Sequence, residues 1–368
     1  SINYEHFPQD VKKGDRILLD DGILELKVLS TNEIDRVETE VIFGGILSSR
    51  KGVNLPNAFV SLPSLTEKDK NDIEFILTQP INWLGLSFVR KAKDITELRE
   101  IISASGKKIK LISKIEKPQA VDDIDNIISV SDAVMIARGD LGVEIPMEQI
   151  PLLQEEIIRK CIDKAKPVII ATQVMQNMIN HSRPTRAEVT DASIGVLTGA
   201  DALMLSGETA IGEYPIKTVE TLRQILNHIE SVGKIYWKKL SPNLESETFL
   251  SDAICYNACK LAKEVNAKAI VGMTVSGYTG FMLSSYRPKA DVIIFTPNRE
   301  LPCLLSLCWG VKVMFYDKYV STDETIKDVL QILEEQGIAA KGDIIINVAS
   351  MPLKNHGRAN MLKISRID

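Results

Sequence analysis

The sequence predicts an α/β protein of two or three domains, the largest of which contains a parallel β-sheet. Its 368 residues are 45% hydrophobic and 25% charged, an ordinary globular composition that is long enough for more than one domain of about 150 residues. From Leu62 onward, short aliphatic and β-branched segments alternate with segments that favour helix. These short segments are hydrophobic along nearly their whole length, which is typical of parallel strands buried on both faces.

Residues 1–57 contain short apolar segments separated by turn sequences, without intervening helical segments, and this pattern predicts a small β module. The turn sequences Asp20-Asp21-Gly22 and Gly44-Gly45 separate its short apolar segments. The predicted strands are Arg16 to Leu19, Leu24 to Leu29 and Val37 to Phe43.

Residues 58–243 predict the parallel sheet, either as part of a barrel or as an open, doubly wound sheet. Its five predicted strands are Trp83 to Val89, Lys110 to Ile115, Ala133 to Ala137, Val168 to Thr172 and Ala202 to Leu205.

Residues 244–368 predict a separate α/β domain, which follows a linker-like stretch and begins with a helix from Leu250 to Val265. Its predicted strands are Lys268 to Thr274, Asp291 to Thr296, Val311 to Tyr316, Asp343 to Val348 and Met361 to Ser365.

Charge, hydropathy and cysteine content exclude several function classes. With 44 basic and 49 acidic residues the net charge is −5, so nucleic acid is not expected as a partner. No apolar run approaches the roughly 18 residues that span a bilayer, so we expect no membrane partner and a cytoplasmic location. The five cysteines contain no CxxC pair, which argues against a disulfide framework or a zinc ribbon.

Polar residues follow each of the five strands at its carboxyl end. In (β/α)8 barrels the active site is built from these strand ends and the loops after them, so a site is predicted there. The polar strand ends are Ser87 to Arg90, Lys114 to Glu116, Arg138 to Asp140, Thr172 to Gln173 and Ser206 to Glu208.

The second and third strand ends predict a metal site beside a cation. The two-residue period of a strand places Lys114 and Glu116 on one face. Glu116 and Asp140 together supply the sparse pair of carboxylates that Mg²⁺, or Mn²⁺, prefers, while the N–H groups of Gly139 and Asp140 can hold an anion. A lysine, a divalent cation and an anion-binding turn would stabilise negative charge on a small carboxylate substrate, as an enolate or a transferring phosphoryl group.

These motifs resemble those of the pyruvate kinase family in order and spacing, over residues 16 to 215 and more loosely beyond. The matching strings are LLDDG (18 to 22), RKGVNLP (50 to 56), SFVR (87 to 90), SKIEK (113 to 117), ARGDLGVEIP (137 to 146), ATQ (171 to 173), RPTRAEVTD (183 to 191) and LSGETAIGEYP (205 to 215). The resemblance implies a (β/α)8 TIM barrel, to which this chain supplies five strands. It also implies a β-barrel lid domain, of which residues 1–57 are the remainder, and a C-terminal three-layer α/β regulatory domain.

The family's reaction is phosphoryl transfer from phosphoenolpyruvate to ADP in glycolysis. The resemblance implies catalytic roles for Lys114, Thr172, Ser206 and Glu208. It implies substrate binding by Lys114, Arg138, Gly139, Asp140 and Thr172, nucleotide binding by Lys51, and Mg²⁺ or Mn²⁺ binding by Glu116 and Asp140. It further implies K⁺, with its ligands before Ser1, and a homotetramer in the full-length form.

The resemblance also implies three further βα units and the first part of the lid before Ser1. We therefore expect a segment of a longer protein rather than a naturally short form, with little kinase activity on its own.

A glycine-containing loop in the C-terminal domain is a candidate effector site. Thr274, Ser276, Gly277 and Thr279 supply hydroxyls and backbone N–H groups at a helix start. The resemblance implies a sugar-phosphate or nucleotide effector. Its identity stays open, because Val275 stands where some members carry lysine and the turn from Met351 to Lys354 lacks tryptophan.

Two other functions are compatible with the same residues. One is a Mg²⁺-dependent aldolase or lyase acting on keto acids, which needs no nucleotide. The other is a non-catalytic fragment that binds a phosphorylated metabolite.

Overall fold

The computed structural model describes residues 2, 4–20, 22–49, 51–56, 64–239, 241–318, 321–351 and 357–368. The chain forms two compact units. The first comprises Ser1–Ile157, Ile170–Gln176 and Met204–Ser206, and the second comprises Ile158–Ile169, Asn177–Leu203 and Gly207–Asp368. No described helix is long and apolar enough to cross a membrane.

The β module is a four-stranded antiparallel sheet with the order β3-β2-β1-β4. Its strands are β1 (Arg16–Leu19), β2 (Leu24–Thr31), β3 (Val37–Phe43) and β4 (Val53–Asn54). Ile17 and Val28 pack against Phe7 and Val11, and Phe7 belongs to the single-turn helix α1 (Phe7–Asp10). The three predicted strands are confirmed, whereas the two-residue β4 was not predicted.

The five predicted strands of the next region are present and have the order β5-β6-β7-β8-β9. They are β5 (Trp83–Leu86), β6 (Lys110–Ile115), β7 (Ala133–Ala137), β8 (Val168–Ala171) and β9 (Ala202–Met204). In the parallel pairing of β5, β6 and β7, Leu84 lies opposite Leu111 and Ser113 lies opposite Val134. The carboxyl ends of these three strands therefore lie at the same edge of the sheet.

Several helices begin at capping residues that are visible in the sequence. The Thr66 hydroxyl accepts the Asp69 N–H while the Asp69 carboxylate accepts the Thr66 N–H, and Thr185 and Glu188 repeat this arrangement. Such caps typically contribute about 1 kcal/mol. The helices from here to the linker are α2 (Glu67–Ile76), α3 (Ala92–Ala104), α4 (Pro118–Asp122), α5 (Ile124–Val130), α6 (Arg138–Glu144), α7 (Ile150–Asp163), α8 (Arg186–Thr198), α9 (Gly207–Ala210) and α10 (Pro215–Ser231).

The C-terminal sheet has the order β12-β11-β10-β13-β14, and β14 is antiparallel to β13. Its core includes Val271, Ile293, Phe295, Leu333 and Ile345, all buried. The elements are α11 (Phe249–Glu264), β10 (Ala269–Met273), α12 (Tyr278–Ser285), β11 (Asp291–Thr296), α13 (Leu301–Leu305), β12 (Val311–Phe315), α14 (Thr322–Glu335), β13 (Ile344–Ala349) and β14 (Met361–Arg366).

Two differences from the sequence prediction affect the region after β5 and β7. β5 stops at Leu86 instead of Val89, because Phe88 has a φ of +54° that no strand accommodates. Gly139 and Asp140, which we expected in an anion-binding turn, lie in helix α6, which begins directly after β7. The N–H groups of these two residues lie in the first turn and have no acceptor within the helix, so they can still bind an anion.

Candidate active site

Lys114 and Glu116 meet at the carboxyl end of β6. Burial alternates along this strand, with Ser113 and Ile115 on the buried side and Lys114 on the other. The Lys114 Nζ lies 2.7 Å from Oε1 of Glu116, and the two side chains are 28% and 1% exposed. A buried carboxylate is thus balanced by a cation that solvent still reaches, and removing either would leave the other uncompensated.

Two residues that follow β5 complete the hydrogen bonds of this ion pair. Lys114 Nζ donates to Oγ of Ser87 at 2.8 Å, and the Phe88 N–H donates to Oε2 of Glu116 at 2.6 Å. The left-handed φ of Phe88 costs a bulky residue about 1–3 kcal/mol. The strained peptide ends β5 and directs its N–H at Glu116.

Asp140 lies in the first turn of α6 and lines a cavity of about 720 Å³. Ser87 and Phe88, the two hydrogen-bond partners of the Lys114–Glu116 pair, line the same cavity. Asp140 is half-buried, and none of the described residues donates a hydrogen bond or an ion pair to its carboxylate. An acidic group with unused acceptor capacity therefore lines the same cavity as the two residues that hydrogen-bond the ion pair.

Arg138 and Gly139 hold the residue that follows β8. Arg138 Nη2 donates to the carbonyl of Thr172 at 2.9 Å, and Gly139 lies against the Thr172 side chain. Thr172 has a φ of +70° and Gln173 one of +57°. A β-branched residue in the left-handed region is strained, so its conformation is imposed by these contacts.

The donor set fits a sparsely ligated divalent cation. Within the described ranges no group of three or more His, Cys, Asp and Glu side chains could form a metal cage. Asp140 lines the cavity and Glu116 accepts the N–H of the cavity-lining Phe88. Mg²⁺ characteristically uses one or two carboxylates and keeps its other positions for water and substrate oxygens.

Lys51 lies in the β module, where its Nζ pairs with Oδ1 of Asp20 at 2.8 Å. Its side chain is 40% exposed, and the residues that follow it, Gly52, Val53 and Asn54, line the 720 Å³ cavity. Lys51 therefore directly precedes residues that line the cavity, and its side chain is accessible to solvent.

The structure does not place Ser206 and Glu208 in one unit. Ser206 is exposed and ends the last segment of the first unit, whereas Glu208 is 3% exposed in α9 of the second unit.

The predicted effector loop is a compact turn before α12, in the second unit. Gly277 has a φ of +86° and its N–H donates to Oγ1 of Thr274 at 3.1 Å. Ser276 Oγ accepts the Tyr278 N–H at 3.4 Å, and Thr279 is 4% exposed. Two of the three hydroxyls thus shape the loop itself. The predicted late turn from Met351 to Lys354 lies, apart from Met351, outside the described residues.

Sequence reasoning missed three residues beside the cavity, namely Asn54, Lys117 and Glu144. The Lys117 Nζ lies 2.5 Å from Oε1 of Glu144, and Asn54 Nδ2 donates to the same oxygen at 3.0 Å. Their signal was present, since all three fall within the motif strings quoted above and Glu144 lies four residues after Asp140.

Comparison with known proteins gives one consistent family. A family model described as the pyruvate kinase barrel domain matches residues 1–219, and one described as the pyruvate kinase alpha/beta domain matches residues 252–365. Pyruvate kinase of Clostridium acetobutylicum is 41% identical over 370 residues, covering 100% of this chain and 78% of the relative. Pyruvate kinase of Staphylococcus aureus is 41% identical over 366 residues, covering 99% of this chain and 62% of the relative.

A solved structure agrees with these sequence matches. The crystal structure of a pyruvate kinase from Cryptosporidium parvum superposes with a TM-score of 0.89 at 35% identity, covering 99% of this chain and 74% of that chain.

Proposed function

This chain belongs to the pyruvate kinase family, and we propose that Lys114, Glu116 and Asp140 form the catalytic centre of its reaction. The reaction is transfer of the phosphoryl group of phosphoenolpyruvate to ADP, which yields pyruvate and ATP in glycolysis. The observation that supports this assignment best is the Lys114–Glu116 ion pair beside the cavity that Asp140 lines. The β5–β9 sheet belongs to the family's TIM barrel, and the β10–β14 sheet belongs to its α/β domain.

Pyruvate kinases generally depend on Mg²⁺ and K⁺. We assign Mg²⁺, or Mn²⁺, to Glu116 and Asp140, where a bound divalent cation would offset the repulsion between two phosphorylated substrates. No residue is assigned to K⁺.

The protein groups around this centre each have a proposed task. The Lys114 ammonium stabilises the transferring phosphoryl group and the enolate that remains. The N–H groups of Gly139 and Asp140 have no acceptor within α6, so they can bind the substrate carboxylate together with the Thr172 hydroxyl. Arg138 supports this site by holding the Thr172 carbonyl, and its direct contact with substrate stays a prediction.

The remaining sequence predictions are kept as proposals. Lys51 would bind ADP phosphates, and Ser206 and Glu208 would lie on the path of the proton to the enolate. The effector loop would bind a phosphorylated effector. We also propose the homotetramer, the domain boundaries at 57/58 and 243/244, and the cytoplasmic location.

The catalytic proposal is tested with two lysines of one strand. Calorimetric titration of phosphoenolpyruvate in the presence of Mg²⁺ should show at least a 100-fold loss of affinity in Lys114→Met. Lys110→Met is the matched control, because Lys110 lies on the same strand but pairs with Asp132 at 2.9 Å, away from the cavity-lining residues. Equal affinities of the wild type and Lys114→Met would overturn the proposal.

Nucleotide binding separates the kinase from the lyase alternative. ADP should protect Lys51 from amine modification in the kinase. Mg²⁺-dependent binding of phosphoenolpyruvate without any ADP binding would instead support a lyase.

A further inference from the structure

The ion pair between Lys117 and Glu144 lies close in the chain to the two carboxylates assigned to the metal. Lys117 directly follows Glu116, and Glu144 lies one helical turn after Asp140 on α6, so Asp140 and Glu144 share a helix face. The Lys117 Nζ lies 2.5 Å from Oε1 of Glu144, and the two side chains are 19% and 2% exposed. The pair thus joins the end of β6 to α6.

The same pair contacts the other supports of the site. Asn54 of the β module donates to Oε1 of Glu144 at 3.0 Å. The Lys117 ammonium lies 5.7 Å from the centroid of the Phe88 ring, and the Phe88 N–H donates to Glu116. Lys117 therefore follows Glu116 in the chain and also lies over the ring of the residue whose N–H binds Glu116.

We propose that Lys117 and Glu144 are positioning residues that fix the separation between the carboxylates of Glu116 and Asp140. The inference rests on the proposed function, because it presupposes that these two carboxylates share one divalent cation. They come from two different elements, and Mg²⁺ demands near-ideal octahedral geometry at about 2.0–2.1 Å. The Lys117–Glu144 ion pair lies one residue after Glu116 and one helical turn after Asp140. It therefore restricts the movement of these two ligands relative to each other, as outer contacts of metal ligands commonly do.

A purely structural ion pair would have a different signature. It would change the stability of the fold without changing metal affinity in the folded protein. Measured metal affinity therefore separates the two roles without any need for turnover.

The test is direct titration of the full chain with Mn²⁺ alone, in which electron paramagnetic resonance measures the unbound ion. Lys117→Met and Glu144→Gln should each weaken Mn²⁺ binding about 10- to 100-fold while the circular dichroism spectrum is unchanged. Lys117→Arg, which preserves the pair, should restore the affinity to within about threefold. Lys93→Met is the control, because Lys93 pairs with Glu97 at the surface of α3 with exposures of 80% and 47%.

The outcomes are distinguishable from those of the proposed function. Glu116→Gln should abolish Mn²⁺ binding, and if it does not, the metal assignment itself fails. If Glu116→Gln loses the metal while folded Lys117→Met binds it within twofold of the wild type, the positioning role is overturned. Should Lys117→Met not fold, Glu144→Gln decides the question, since it removes the charge that attracts Lys117 while preserving the size and shape of the side chain.

Discussion

A methyl group placed on the α-carbon of Gly139 would lie 2.6 Å from the Cγ2 methyl of Thr172. Gly139 belongs to the first turn of α6, and Thr172 follows β8 in a left-handed conformation. The two groups that we assign to the substrate carboxylate are therefore packed together without space for one more carbon. Glycine is required at this position for close approach rather than for an unusual φ.

Gly139→Ala should lower the affinity for phosphoenolpyruvate at least 10-fold, because the new methyl group must displace the Thr172 side chain. Calorimetric titration in Mg²⁺ measures this loss. Gly142→Ala is the control in the same helix, since its added carbon would meet no atom within 4 Å. That variant should keep the affinity and raise the free energy of unfolding by about 0.5–1 kcal/mol.

Thr172→Ser should rescue Gly139→Ala, since serine keeps the hydroxyl and lacks the methyl group that collides. We expect the double variant to recover most of the lost affinity. A double variant as weak as Gly139→Ala alone would show that the contact between these two side chains is not the cause.

The sequence predicted the strands and the meeting of Lys114 with Glu116 because the determinants of both are local. Continuous apolar runs marked the strands, and the two-residue period put Lys114 and Glu116 together. The motif strings include Lys117 and Glu144, but the contact between them and the left-handed conformation of Phe88 could not be predicted, because both depend on residues that are distant in the chain. Glu144 lies one turn after Asp140 because α6 begins at Arg138 and continues to Glu144, where the sequence favoured a turn.

Asp132 should make part of the stability depend on acid pH. Burial by itself would raise the pKa of Asp132, but hydrogen bonds from Lys110, the Leu111 N–H and Arg99 outweigh it and hold the pKa below its usual value. A lowered pKa contributes stability above the unfolded-state value of about 3.9, and this contribution is lost as the pH falls through the folded-state pKa.

Asp132→Asn should therefore lower the free energy of unfolding at pH 7 by about 1–3 kcal/mol, and this difference from the wild type should shrink below about pH 4. Urea unfolding at several pH values measures it. Asp72→Asn, which alters an exposed pair with Lys68, should change stability by less than about 1 kcal/mol. If the free energy of unfolding of Asp132→Asn stayed below that of the wild type by a constant amount down to pH 2, the proposed link between the Asp132 pKa and stability would be wrong.

Lys239 should destabilise the fold at neutral pH. Its side chain is 7% exposed, and its contacts are Met282 Sδ at 3.6 Å and the Tyr286 ring, whose centroid is 5.1 Å away. Burial lowers the pKa of Lys239, and the charge of Asp252 offsets this only in part. Between the lowered pKa and the unfolded-state value of about 10.4, the unfolded chain binds more protons, so stability rises with pH there.

Lys239→Met should raise the free energy of unfolding at pH 7 and reduce the gain in stability between pH 7 and pH 10. Urea unfolding at both values measures this change. Lys263→Met is the control, because Lys263 also lies over an aromatic ring, that of Trp237 at 4.9 Å, but is exposed. A less stable Lys239→Met at pH 7 would show that the cation–π contact outweighs the cost of burial.

Arg287 and Asp201 form a buried ion pair in the second unit. A surface ion pair of the same unit, Lys312 with Asp291, serves for comparison. Arg287 Nη1 lies 3.0 Å from Oδ1 of Asp201, with exposures of 2% and 7%. Arg287 also donates to the Gly199 carbonyl at 2.6 Å, and Asp201 accepts the N–H groups of Val168 and Trp309 at 3.0 Å each. Each charge therefore has several partners that cannot move to compensate for its loss.

Arg287→Met should lower the free energy of unfolding by about 3–5 kcal/mol, because it leaves the Asp201 carboxylate buried without a cation. Lys312→Met, which breaks a surface pair with Asp291 at 4.0 Å, should cost less than about 1 kcal/mol. Combining Arg287→Met with Asp201→Asn should cost less than the sum of the two single changes, since the second removes the uncompensated charge. Strict additivity in urea unfolding would mean that the two side chains stabilise the fold independently of each other.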